Sequence, residues 1–533
     1  MLGRDLALHE PGQAGHPGRA RGYHRLVLSF SAQTRAANLA RMAQDRFDVL
    51  VIGGGITGAG IALDAAARGF SVALIEKDDF ASGTSGRSSR LVHGGLRYLE
   101  HGEFGLVRES LRERGLLIRL AGHLIRPVPM YLLAGDRRSR ARYGVGLTAY
   151  DLLAAGRNIG IHRSVTAKQV RRAMPGLAAP SGGFRCFEGQ TDDARLTIEV
   201  ARTAQAFGAV LANHVRAEAL LGGAWVAGAV AADQLTGERF EIRARVTVNA
   251  AGVWANQVRS LAAAPWDRLR PSKGVHLVFG PGAVRTRAAL AVPSAAGDGR
   301  YVFLVPWEDR VYAGTTDTPY SGDLDHPAVE DSDRDYILAT VARYFPEVNE
   351  RDVVASWAGL RPLLSQDEPA ADASTFDLSR RHMVIEDPPS LFTITGGKLT
   401  TYRAMAEDLV DWIADSLGQR GRCVTASIPL GLHGPVGTAL GLATAEAARL
   451  GLPPSTGARL LQRYGDDWRE AIRLIDQDPS LGQPAADGLP VLNVELDLAR
   501  SREMAITDED VFVRRTRLTT RDASVRRPGA VTP

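Results

Sequence analysis

The chain has 533 residues, of which 45% are hydrophobic, 23% charged and 6% aromatic. It is long enough for about three globular domains, and its composition excludes disordered and collagen-like classes. Cys186 and Cys423, its only cysteines, are too few for a disulfide framework and too far apart for a CxxC metal or iron–sulfur site, so a reducing compartment is expected and no metal. The net charge of +4 arises within residues 1–46, where seven arginines meet only Asp5, Glu10 and Asp45, and this argues against a global nucleic-acid-binding field.

Residues 1–45 mix Gly, Pro, Arg, Ala and Ser with little periodicity and read as a tail. The composition suits a mitochondrial transit peptide, but Met42 stands just before the first strand, and a mis-assigned start in a bacterial chain is the better reading. Residues 49–52, Val-Leu-Val-Ile, then run into Gly53-Gly54-Gly55-Ile56-Thr57-Gly58 and a helix-forming stretch that ends at Gly69. A second apolar strand over 71–75 closes on Glu76. This is a βαβ dinucleotide fingerprint in its required context. Gly53 suits the tight turn, Gly55 admits a pyrophosphate, Gly58 lets helix and strand approach, and the helix start at Ile56 and Thr57 offers N–H groups to phosphate. Glu76 can accept from both hydroxyls of an adenosine ribose and would repel a 2′-phosphate, which leaves FAD or NAD.

A hydroxyl-rich loop follows, with Ser82, Thr84, Ser85, Ser88 and Ser89 suited to cofactor phosphates and the flavin edge. His93, Arg97 and Tyr98 lie within six residues, beside Gly94-Gly95, which permit close approach to a flavin ring. Residues 106–125 place Arg108, Arg112, Arg114 and Arg119 among Leu106, Leu111, Leu116, Leu117, Leu120 and Leu124. That pattern fits a helix lying in a lipid interface, or equally a buried helix with an exposed arginine face. No run approaches the ~20 apolar residues needed to cross a bilayer.

Two further strands end in small residues at helix starts: 243–248 into Asn249-Ala250-Ala251-Gly252, and 391–394 into Thr395-Gly396-Gly397-Lys398-Leu399-Thr400. The cofactor domain is therefore expected to be assembled from 46–260 and 355–420. Strand-like runs at 275–279, 301–305 and 311–313 predict a mixed-sheet substrate domain over 261–354, with parts of 120–190. Residues 424–518 read as a helical domain, with Ser455 as a cap and Gly465 as a stop, and 519–533 as a short unpatterned tail. Of 64 basic residues only four are lysines, which draws attention to each of Lys77, Lys168, Lys273 and Lys398. A cation at a helix N-terminus opposes the helix dipole, so Lys398 calls for an anionic partner such as substrate phosphate.

The stretch 79–100, from Asp79-Phe80-Ala81-Ser82-Gly83-Thr84-Ser85-Gly86 through His93-Gly94-Gly95-Leu96-Arg97-Tyr98-Leu99-Glu100, resembles the FAD-dependent glycerol-3-phosphate dehydrogenases. The resemblance runs from about 47 to 518 and includes Thr191-Asp192-Asp193-Ala194-Arg195-Leu196, Gly314-Thr315-Thr316-Asp317, Gly359-Leu360-Arg361-Pro362-Leu363 and Gly396 to Arg403. It implies an α/β fold: a Rossmann-like FAD domain of the glutathione-reductase or amino-acid-oxidase type, a mixed-sheet substrate domain and a C-terminal helical domain. It also implies noncovalent FAD and oxidation of sn-glycerol 3-phosphate to dihydroxyacetone phosphate by hydride transfer to flavin N5. Electrons would pass to ubiquinone or menaquinone at the inner face of the cell membrane, and a homodimer stays open.

In this reading His93 is the base, Arg97, Arg361 and Lys398 hold phosphate or polarise the alcohol, and Tyr98 and His276 line the substrate pocket. Three alternatives remain: an oxidase passing electrons to oxygen, a related flavin oxidase of amino or 2-hydroxy acids, and a noncatalytic flavin module. In the last, the arginine-rich end (Arg514, Arg515, Arg517, Arg521, Arg526, Arg527) would bind nucleic acid, although a solvated face or lipid contact explains those arginines more simply. After Leu518 the sequence departs from the family, so that the last helical domain is expected to be short.

Overall fold

Short apolar runs buried on both faces and joined by crossovers form a parallel array. In the computed structural model, which describes residues 30–100, 102–262, 268–364, 382–419 and 421–525, it runs Leu391–Thr395, Arg239–Asn249, Arg46–Ile52, Val72–Ile75, Val210–Ala212. Met383–Glu386 pairs antiparallel at one edge. Ile52 stands level with Ile75 on one side and Asn249 on the other, so the glycine loop, Glu76 and the Ala251 turn open together at the carboxyl ends of the strands. The helix Ile56–Ala67 covers this sheet and packs between Asp193–Ala206 and Tyr402–Ser416. Gly60 makes the second contact possible, because a Cβ there would lie 2.6 Å from the Tyr402 ring.

The second sheet has ten strands centred on Leu269–Phe279, which pairs along its length with Val353–Leu364 and also with Arg310–Gly314. The strands expected at 275–279, 301–305 and 311–313 are all in it, as are Arg126–Leu133 and Gly183–Gln190 from earlier in the chain. Val353–Leu364 corrects the expected boundary at 355: this strand, Arg361 included, belongs to the second sheet. The alternation of apolar and polar residues there satisfies either sheet, and only the pairing with Leu269–Phe279 decides.

The N-terminal expectation needs correction as well. Ala32–Gln44 is a helix capped by Ser31, with Arg35, Asn38 and Met42 buried. Arg35 pairs with Asp233 at 2.6 Å and Asn38 donates to the Leu211 carbonyl at 2.8 Å, so the part of the expected tail from residue 30 onward is folded structure. Residues 1–29 lie outside those described.

The helix Phe104–Leu120 turns its leucines inward: Leu106, Leu111, Leu117 and Leu120 are buried, and Leu124 beyond it is too. Arg114 is no surface cation, since it reaches Glu188 at 2.5 Å. The lipid-facing reading of 106–125 is therefore overturned. No helix among the described residues is long and apolar enough to cross a membrane.

The helical domain follows the expected order with two changes. Its second helix, Pro454–Tyr464, is capped at Pro453 rather than by Ser455, and ends at Gly465 with φ +52°. Residues 518–525 are packed rather than a tail: Leu518–Arg521 is helical and Ala523 donates to the Val354 carbonyl. Arg514, Arg515, Arg517 and Arg521 are buried. Arg514 and Arg515 grip Asp79 at 2.7 and 2.5 Å, Arg517 binds Asp192 at 2.9 Å and also Asp193, and Arg521 meets Glu308 at 2.6 Å. Neither a solvated face nor a nucleic-acid surface describes these four residues. Arg526 and Arg527 lie outside the described residues.

Candidate functional site

A cavity of about 930 Å³ opens at the carboxyl ends of the parallel strands and extends to the second sheet. That volume lies near the top of the range usual for small-molecule sites. Its wall gathers Gly53, Gly55, Ile56, Thr57 and Glu76 from the first unit, and Thr84, Ser85, Ser88 and Ser89 from the hydroxyl loop. Ala251, Gly252, Gly397, Lys398, Leu399 and Thr400 come from the two later junctions, and His93, His276 and Arg361 also line the cavity.

Several expected residues stand behind this wall. Gly58 accommodates the Gly53 carbonyl where a Cβ would sit, and Ser82 is buried. Gly94 leaves room for Tyr150 and Leu111, and Gly95 for the Tyr98 ring. Arg97 lies in the short helix Leu96–Glu100, and its side chain is outside the described residues.

The cofactor end has the geometry a dinucleotide needs. Gly53 has φ +118°, and a Cβ there would lie 2.6 Å from the Ala250 carbonyl oxygen. Glu76 is buried, accepting from the Gly54 N–H at 2.7 Å and the Asp78 N–H at 3.0 Å. Burial pushes its carboxyl up to about 7 against these two bonds. Ser85 Oγ accepts from the Ile56 N–H at 2.9 Å, so a hydroxyl covers the first helix N–H. Lys77, over the Trp254 ring at 4.6 Å and paired with Asp78 at 2.9 Å, is a wall residue for which the sequence indicates no role in the site.

At the other end Arg361 is held in place by the second sheet. Its guanidinium donates to Thr315 Oγ1 at 2.9 Å and the Thr316 carbonyl at 3.1 Å, and to Ser272 Oγ and Asp317 at 3.3 Å. Gly274 is required beside it, since a Cβ there would collide with the guanidinium and Thr315. Asp317 and Thr315 were visible only as members of a motif, and the strand pairing gives them their task. Lys398 caps the turn Leu399–Thr401, donates to Ser110 at 3.2 Å and lies 3.7 Å over the Tyr98 ring. His276 is buried, stacked on Trp357 at 4.7 Å, with Nε2 2.9 Å from Ser89 Oγ and Nδ1 without a hydrogen-bond partner among the described residues. Burial, with Arg361 and Arg90 nearby, holds it well below the usual histidine range and hence neutral. Lys273 is turned away, paired with Asp333 at 2.7 Å.

The family model for FAD dependent oxidoreductases matches residues 48–412, and that for the C-terminal domain of alpha-glycerophosphate oxidase matches 423–528. Glycerol-3-phosphate dehydrogenase 2 of Mycobacterium tuberculosis is 40% identical over 91% of this chain and 83% of its own. The aerobic glycerol-3-phosphate dehydrogenase of Bacillus subtilis is 38% identical over 91% and 90%. Alpha-glycerophosphate oxidase of Streptococcus pneumoniae is 38% identical over 73% and 74%. Among solved structures, the glycerol-3-phosphate dehydrogenase of Bacillus halodurans complexed with FAD superposes with a TM-score of 0.76 at 34% identity, over 93% of this chain and 90% of that one.

Proposed function

This chain belongs to the FAD-dependent glycerol-3-phosphate dehydrogenase family, and from that membership we propose that it oxidises sn-glycerol 3-phosphate to dihydroxyacetone phosphate and passes the electrons to a membrane quinone. FAD is its cofactor, and when bound supplies the acceptor for a hydride from C2 of the substrate. The observation that carries the reading is one cavity joining Glu76 and the glycine turn to Arg361, Lys398 and two histidines. Arg361, oriented by Asp317 and Thr315, presents a fork that matches phosphate geometry. Lys398, with Arg97 by its place in the chain, holds phosphate or polarises the C2 hydroxyl.

A histidine takes the hydroxyl proton. His93 is one acceptor on the wall, but the unpartnered Nδ1 and neutral state of His276 favour His276. Anaerobic addition of glycerol 3-phosphate should bleach the flavin spectrum, whereas glycerol, alanine and lactate should not. Bleaching by alanine or lactate would transfer the protein to the amino- or hydroxy-acid oxidases.

The Glu76 carboxyl makes cofactor binding pH-dependent. With its proton leaving near pH 7 in the apoprotein, the ionised acceptor preferred by ribose hydroxyls forms as pH rises. Affinity for FAD, read by quenching of flavin fluorescence, should therefore fall as pH drops from 8 to 6. Glu76→Gln should flatten that dependence and weaken binding about tenfold at pH 8, the lower end for losing a charged hydrogen bond. An unchanged pH profile would place the ribose elsewhere.

A quinone acceptor is supported by the fuller coverage of the dehydrogenase relatives than of the oxidase. It also calls for a membrane-facing surface. With Leu106, Leu111, Leu117 and Leu120 of Phe104–Leu120 buried, the helix Arg137–Ala154 is the better surface. Arg138, Val145 and Leu152 recur at sevens on its exposed side, and Val145 and Leu152 are 73% and 76% exposed. Residues 137–172 hold nine basic residues against Asp151. Holoenzyme should sediment with vesicles containing phosphatidylglycerol, and Arg137→Glu with Arg138→Glu should weaken this more than tenfold, at about 1 kcal/mol per cation. Full quinone reductase activity without lipid, and no sedimentation, would favour oxygen or a soluble acceptor.

A further inference from the structure

The hydroxyl loop is sorted by where its protons go. A serine or threonine hydroxyl has one proton to donate and two lone pairs, whereas a pyrophosphate offers acceptors only, so a hydroxyl whose proton is already committed cannot bind one. Ser88 is in that state. Its Oγ donates to Asp193 Oδ2 at 2.7 Å and accepts from the Arg90 N–H at 3.0 Å, which leaves one lone pair. The direction of the first bond follows from the other partners of Asp193, all of them donors: the Ser88 and Ala194 N–H groups, at 2.8 and 3.0 Å, and the guanidinium of Arg517 from the helical domain. Asp193 and Arg517 are both buried.

Thr84 is committed likewise, donating to the Leu360 carbonyl at 2.6 Å. Ser85 is the opposite case: it accepts from the Ile56 N–H, and its own proton has no acceptor among the described residues. All three side chains border the large cavity, and their places in it agree with their polarity. Ser85 is at the glycine turn. Thr84 and Ser88 lie toward the second sheet, Thr84 through Leu360, the neighbour of Arg361, and Ser88 through Ser89, whose Oγ is 2.9 Å from His276 Nε2.

We propose that Ser85 is the hydroxyl of this loop that donates to the FAD pyrophosphate, whereas Ser88 and Thr84 act only as acceptors and read the donor groups of the riboflavin half, its ribityl hydroxyls and ring N–H. A lone pair turned toward phosphate would repel it, so the loop sets the direction in which the cofactor lies along the cavity. The assignment rests on FAD as the cofactor and not on the substrate or electron acceptor proposed above, so a failure of either of those leaves it standing.

A crystal structure of the holoenzyme should place a ribityl hydroxyl or ring N–H within hydrogen-bond distance of Ser88 Oγ and of Thr84 Oγ1, and a phosphate oxygen within that distance of Ser85 Oγ. Competition between ADP and FAD for the full-length apoprotein tests the same assignment in solution, because ADP carries the pyrophosphate and adenosine without the riboflavin half. Ser88→Ala and Thr84→Val should each weaken FAD binding by about two- to tenfold, the scale of one hydrogen bond, and leave the affinity for ADP unchanged. If a variant does not fold, the wild-type crystal structure still decides. A phosphate oxygen bonded to Ser88 would overturn the proposal. So would equal weakening of FAD and ADP in Ser88→Ala, or an unchanged affinity for FAD in that variant.

Discussion

Arg361→Ala should lower kcat/KM for glycerol 3-phosphate by about 30- to 5,000-fold while leaving the bound flavin spectrum unchanged. The range corresponds to the 2–5 kcal/mol typical of removing one member of a buried, hydrogen-bonded charge pair. Arg361 reaches the cavity from the second sheet and is braced by Asp317, Ser272 and Thr315, none of which is on the glycine turn. Lysine should rescue little, because a point charge cannot reproduce the fork. Discrimination against unphosphorylated glycerol should collapse in parallel, since the role proposed for the lost group is to read the phosphate. A colourless Arg361→Ala protein would show that the residue supports the cofactor domain instead.

Replacing the proton acceptor should slow anaerobic flavin reduction by about 100-fold or more, the usual scale for a general base. His276→Ala should show this loss and His93→Ala a smaller one. The pH profile separates the two further. His276, buried beside Arg361 and Arg90, is neutral down to well below the ordinary histidine range, so the wild-type reduction rate should be flat from pH 6 to 9. A base of ordinary acidity would lose activity as pH falls through about 6.5. A drop of 100-fold in His93→Ala, with His276→Ala near wild type, would reverse the assignment.

The parts of this fold that depend on local pattern were legible in the chain. The run 49–52, the glycine turn and Glu76 stand in the structure as read, because β-branched runs and a required positive φ leave few alternatives. Residues 106–125 misled for a physical reason: an amphipathic helix has the same sequence whether its leucines meet lipid or a protein core. The buried arginines were unreadable for another. Charge reads as surface unless its partners are known, and Asp79 and Asp192 lie more than 300 residues from Arg514 and Arg517. The brace around Arg361 was hidden similarly, since Thr315 and Asp317 reach it only through pairing in the second sheet.

The grip of Arg514, Arg515 and Arg517 sets an order of events during biosynthesis. Asp79 directly follows the strand and acid that line the cofactor cavity, and Arg517 donates to the Gly86 carbonyl at 2.9 Å, within the hydroxyl loop. Within the first hundred residues the pairing of Arg46–Ile52 with Val72–Ile75 needs nothing made later, but this loop stays without its counter-charges until the final segment is translated. Removal of one partner from a buried pair costs a folded protein about 3–5 kcal/mol. A chain released early therefore carries the complete dinucleotide fingerprint without the arginines that hold Asp79 and the hydroxyl loop.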